Sequence, residues 1–153
     1  MRDQFKEIFY QVVTDTLEAL AFIFSFPEDQ RDTIDYDSAL TTSVSFTGPF
    51  SGKLVMAISK QVVPGLAANM LGVDEETSLP QQQDALKEVV NVICGNFLPT
   101  IAGEHEIFTI DVPGVISNAD QARFLHDGKP TSVAKIKLES GQADFYLFID
   151  GRD

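Results

Sequence analysis

Within the segment Asp84-Ala85-Leu86-Lys87-Glu88-Val89-Val90-Asn91-Val92-Ile93-Cys94-Gly95-Asn96, polar side chains recur at offsets of four and three. In a helix that spacing stacks Asp84, Glu88 and Asn91 one above another, with Gly95 a turn further on, inside an arc of roughly 60°. Leu86, Val89, Val90, Ile93 and Phe97 form an apolar stripe on the opposite side. The polar line joins carboxylates, which accept hydrogen bonds from cations, to a carboxamide, which donates and accepts at once without titrating. A solvated helix face accounts simply for an Asp, a Glu and an Asn. Asn91 and Gly95 fit that account less well, because both are poor helix formers and Gly costs about 1 kcal/mol against Ala. A missing side chain one turn beyond Asn91 leaves room either for a second molecule or for close packing against another element.

The helix that carries these residues has a clear start, since Ser78 and Gln81 have the spacing of a capping box and Pro80 suits the first turn. It is expected to run to about Ile101 and end near Gly103, with Pro99 able to stop or kink its last turn. Phe5, Ile8, Phe9, Val12, Val13, Leu17, Leu20 and Phe24 predict an earlier amphipathic helix, ended by Pro27. Ile34 to Phe46 reads as a strand with Leu40, Thr42, Val44 and Phe46 on one parity; Lys53 to Ile58 reads as its partner, joined through Gly48 to Gly52. Lys60 to Leu71 predicts a short helix capped by Gly72. Ile107 to Val112 predicts a strand stopped by a Pro113-Gly114 turn, and Ser132 to Leu138 and Ala143 to Ile149 predict a closing hairpin around Glu139-Ser140-Gly141-Gln142. Long helix, strand and hairpin thus occur twice, which suggests internal duplication. The expected fold class is α/β of the α+β type, a single domain over residues 1–153 with two layers, a largely antiparallel sheet and long helices packed on one face.

Composition narrows the function. A chain of 153 residues that is 44% hydrophobic can bury a core without disulfides or metals. The single cysteine, Cys94, excludes an internal disulfide and reads as a small buried hydrophobe in a reducing compartment. His105 and His126 are far apart and no HExxH or CxxC spacing occurs, so no metal site is expected. The longest apolar run, Ala19 to Phe26, is too short and too closely flanked by Asp15 and Glu18 for a membrane span or signal peptide, so a cytoplasmic location is expected. A net charge of -12 disfavours nucleic acid and membrane surfaces as partners.

The polar line also resembles a known family. The CheX/CheC-type chemotaxis phosphatases carry an acidic or hydroxyl residue, then Glu four positions on, Asn three further and a Pro a little over twenty residues downstream. Asp84, Glu88, Asn91 and Pro113 reproduce that pattern in order, and Gly95-Asn96 continues it in the manner of the CheX branch. The strands around Ser45-Phe46-Thr47-Gly48 and Gly52-Lys53-Leu54-Val55 resemble that family's first hairpin.

The resemblance implies an enzyme that hydrolyses the aspartyl phosphate of a CheY-like response-regulator receiver domain. Such hydrolysis depends on placing a water in line with phosphorus and on stabilising the equatorial charge. Asn91 would position the attacking water and Glu88 would pair with the receiver's active-site lysine. A general-base role for Glu88 is less favoured, because an exposed helical carboxylate is a weak base near neutral pH. Asp84, Gly95 and Pro113 would face the partner, Asp84 at the rim and Pro113 as structural support. Mg²⁺ would come with the receiver, the chain needing no cofactor of its own, and a homodimer joined through a sheet edge is implied. In the first helix Thr14, Glu18 and Ala21 stand at the offsets of Asp84, Glu88 and Asn91, so alanine replaces the carboxamide and one site per chain is expected. Acidic receivers would be repelled at long range, and Lys87 and Lys129 are given little weight as compensation. The rival reading is a non-catalytic receiver-binding or flagellar-switch-like interaction module; a ligand-sensing domain would need a roomy apolar pocket.

Overall fold

A computed structural model describes residues 2–21, 39–116, 129–138 and 141–150. Helix α1, Arg2–Ala21, turns Phe9, Val13, Leu17 and Ala21 into the core at the spacing its sequence predicts. Phe24, Pro27, the start of the strand expected from Ile34, His126 and the turn residues Glu139 and Ser140 lie outside the described residues. Strands β1, Ala39–Thr47, and β2, Gly52–Ser59, form the expected antiparallel hairpin. A single 3₁₀ turn, Lys60–Val62, leads into α2, Val63–Leu71. Gly72 ends α2 in the left-handed region at φ 69°; its N–H donates to Asn69 O and that of Val73 to Ala68 O, the paired bonds of a Schellman cap.

Helix α3, Leu79–Ala102, begins at a complete capping box: Gln81 N donates to Ser78 Oγ at 3.2 Å and Ser78 N to Gln81 Oε1 at 2.8 Å. It continues through Pro99 to Ala102 and stops at Gly103, the residue near which its end was expected. The last strands are β3, Thr109–Ile110; β4, Gly114–Ile116; β5, Ser132–Lys137; and β6, Gln142–Ile149.

Every strand pairing among the described residues is antiparallel, in the order β3-β1-β2-β6-β5 with β4 also on β1. The register places Val44, Leu54 and Leu147 side by side, and likewise Thr42, Met56, Phe145 and Ala134. These residues face the three helices in one core with Leu86, Val89, Val90, Ile93 and Phe97 of α3. Phe97 stacks edge-on against Phe5 and Phe9 of α1, each at 5.4 Å between centroids. The fold is therefore the expected α+β arrangement of an antiparallel sheet with helices on one face.

The strand expected over Ile107 to Val112 is shorter and continues differently. From the pair Phe46–Ile110 to the pair Ser43–Gly114, β1 moves back three residues while its partner advances four. One extra residue is therefore accommodated between β3 and β4, which is a β-bulge. Pro113 has no N–H to give the ladder, while Asp111 N still reaches Ser45 O at 2.9 Å. Pro113-Gly114 is consequently no terminating turn: Gly114 opens β4 on the same edge of β1.

Candidate functional site

Burial of Leu86, Val89, Val90 and Ile93 fixes the rotation of α3, and that rotation exposes Asp84, Glu88, Asn91 and Gly95. The polar line expected from periodicity is real. A groove of about 440 Å³ runs beside it, lined by Asp84, Lys87, Glu88 and Asn91 on α3 and by Ile110, Asp111, Val112 and Pro113 on the bulge. The second wall is the stretch of interrupted ladder between β3 and β4, where one extra residue is accommodated against β1. Val112 is 91% exposed on that wall.

Four of the five residues singled out from sequence thus line one groove: Asp84, Glu88, Asn91 and Pro113. Gly95 lies on the same exposed stripe but outside the lining. A Cβ built there meets nothing within 4 Å, so the gap it leaves is open space on the surface and not a close helix contact. Lys87, given little weight from sequence, lines the groove, as do Ile110, Asp111 and Val112. The signal that could have found the last three is Pro113 itself, since a proline in a strand-like run marks a bulge or an edge. Lys87 was legible as an i, i+4 neighbour of Asn91.

The chemistry available is that of an exposed carboxamide flanked by carboxylates and one amine. Among the described residues no group of His, Cys, Asp and Glu is arranged to hold a metal ion. Cys94, on the buried side of α3, has its thiol pushed up to about 12 by burial, which keeps it protonated and unreactive near neutral pH.

A sequence model of the chemotaxis phosphatase CheX matches residues 40–136, from β1 into β5 and across the whole groove. The chain belongs to the CheX family. The structure is similar to that of CheX from Desulfovibrio desulfuricans at 1.30 Å resolution, with a TM-score of 0.70 and 20% identity over 96% of this chain and 99% of that one. Chemotaxis protein CheX from Vibrio vulnificus is similar at a TM-score of 0.69 and 16% identity, over 98% and 99% of the two chains. CheX from Borrelia burgdorferi, solved in complex with CheY, BeF3 and Mg²⁺, is similar at 0.70 and 14%, over 94% and 96%. No curated protein matches the chain by sequence. These likenesses establish the CheX fold, and among the described residues no helix is long and apolar enough to cross a membrane.

Proposed function

We propose that this CheX-family protein binds a CheY-like receiver domain along α3 and hydrolyses its aspartyl phosphate. The observation that carries the reading is the exposure of Glu88 and Asn91 side by side on a groove whose other wall is Pro113, within a chain of a chemotaxis phosphatase family. The Borrelia relative solved with CheY supplies the partner class.

In this reading Asn91 enters the receiver's active site and holds the attacking water, its carboxamide oxygen accepting a hydrogen bond from the water while the NH₂ donates to the phosphoryl oxygens. Placing the water in line converts an encounter with bulk solvent into a positioned attack, which is where most of the acceleration arises. Glu88, one turn back, accepts from the receiver's lysine and fixes the docking angle. Asp84 meets the rim of the partner, the open stripe at Gly95 lets its backbone approach, and Pro113 holds the bulge wall in place. Mg²⁺ belongs to the receiver's acidic pocket, where it neutralises charge on the transferred group. The same reading makes the chain a single-domain cytoplasmic homodimer joined through a sheet edge, and sedimentation of the purified protein tests its dimeric state.

The deciding experiment follows decay of a phosphorylated CheY-type receiver in Mg²⁺. The wild-type protein accelerates decay; Asn91→Ala loses about 10²-fold in rate while still binding, and Glu88→Ala loses affinity. Receivers that bind without faster decay would make the protein a non-catalytic interaction module.

A further inference from the structure

The groove contains an amine that the proposed mechanism does not use. Lys87 is half-buried and shares the lining with three carboxylates, Asp84, Glu88 and Asp111. Among the described residues it makes no ion pair with any of them. Its position relative to Asn91 is set by helix geometry: Lys87 and Glu88 both lie one turn before Asn91, about 40° to one side of it and about 60° to the other. The face that presents the carboxamide therefore carries a cation on one flank and an anion on the other.

That arrangement answers a difficulty posed by the whole chain, whose charge of -12 repels an acidic partner. Long-range repulsion and short-range complementarity are separable, since opposed charges at contact fix orientation even where net charge opposes encounter. A receiver site offers both signs, a lysine that suits Glu88 and acidic side chains that suit a lysine. Among the described residues the amine has no ion-pair partner to give up, so pairing across the interface breaks no ion pair there.

We propose that Lys87 pairs with a carboxylate at the rim of the receiver's acidic pocket, making it an orientation- and specificity-determining contact beside Asn91. The proposal rests on the reading that a receiver docks along α3. Because the contact is to a carboxylate and not to the phosphoryl group, it strengthens binding of the phosphorylated and unphosphorylated receiver alike. The contact would also set the direction of docking: turning the receiver around would set its acidic side chains against Glu88.

The test measures binding of Mg²⁺-loaded receiver, with and without beryllofluoride, to wild-type protein and to Lys87→Met, Lys87→Glu and Lys87→Arg, each first shown by thermal unfolding to be folded. Lys87→Met weakens binding about threefold and Lys87→Glu about tenfold, Lys87→Arg restores it, and the loss in Lys87→Glu shrinks as salt rises. In phosphoryl decay the same variants raise KM and move kcat by less than about twofold, as expected of a contact made equally in ground and transition states. Binding that is indifferent to Lys87, a loss that salt leaves untouched, or failure of arginine to restore it overturns the proposal. A wild-type protein that binds but leaves decay unchanged refutes the phosphatase reading alone, and the binding series still decides the role of Lys87. A wild-type protein that binds no receiver refutes both.

Discussion

At the residue scale, the proposed docking face of α3 is defined by where side chains are present and where one is missing. Gly95 sits in mid-helix, exposed, with open space where a Cβ would be. Gly95→Ala is therefore expected to stabilise the fold by about 1 kcal/mol, read as a higher denaturant midpoint, because Ala loses less backbone entropy in a helix. Gly95→Leu should keep that gain while weakening receiver binding, and equal binding by both variants would remove Gly95 from the docking face. Cys94 makes the opposite kind of prediction. Its thiol has an ordinary value of 9.0 and is pushed up to about 12 by burial, so the unfolded chain loses this proton at lower pH than the folded one. Stability from this group is then complete below pH 9 and declines by at most about 1.4 kcal/mol per pH unit above it. Denaturant titrations of wild type and Cys94→Ala across that range check this: only the wild type should show the added slope, and its thiol should react with an aromatic disulfide reagent only on unfolding. Asp84, Glu88, Asn91 and the burial of Cys94 were legible because helical periodicity sorts residues by face. Asp111 and Val112 were not, since joining the groove depends on which element lies opposite α3.

At the element scale, α3 and the bulge between β3 and β4 are the two parts that line the candidate groove. The start of α3 was readable to the residue because a capping box is a local motif, satisfied by Ser78 and Gln81 without reference to the rest of the chain. Ser78→Ala should cost about 1 kcal/mol in global stability; amide exchange that speeds only at the N-terminal turn of α3 would show instead that the helix end frays alone. The other end was harder to read. Pro99 has no N–H for the carbonyl of Gly95, yet the helix continues to Ala102 because Phe97 and Leu98 before the proline are held in the core and Ile101 after it packs against that core. The proline that would end an isolated helix is outweighed by packing, and the carbonyl it leaves without its usual helical donor belongs to the residue with no side chain. The bulge was misread for a related reason. Pro113-Gly114 has the composition of a turn, but Ser43, Thr42 and Thr41 of β1 offer an edge on which Gly114, Val115 and Ile116 resume pairing. Pairing across about seventy residues of sequence leaves no trace in a local pattern.

At the scale of the whole molecule, the repeat of helix and hairpin becomes an arrangement in which each long helix packs against the other half. β2 and β6 meet at the centre of the sheet, with β1 outside one and β5 outside the other. Helix α1 contacts β5 while α3 contacts β1. Element order suggested the duplication; this exchange of helices was invisible because it depends on the central pairing of β2 with β6. The exchange also gives a physical reason to expect one site per chain. Glu18 of α1 is exposed as Glu88 is, but Ala21, at the offset of Asn91, is 0% exposed, and its carbonyl accepts a hydrogen bond from Asn69 Nδ2 at 2.7 Å. The first helix therefore lacks more than a carboxamide, since the position itself is buried against α2. Restoring the residue should not restore the chemistry: Ala21→Asn would push a larger polar side chain into a filled space, at a cost of about 1 to 3 kcal/mol for overpacking. Placed in an Asn91→Ala background, Ala21→Asn is expected to leave receiver phosphate decaying at its spontaneous rate and to lower the unfolding midpoint. Recovered phosphatase activity in that double variant would show that the first helix kept a usable site and lost only its side chain.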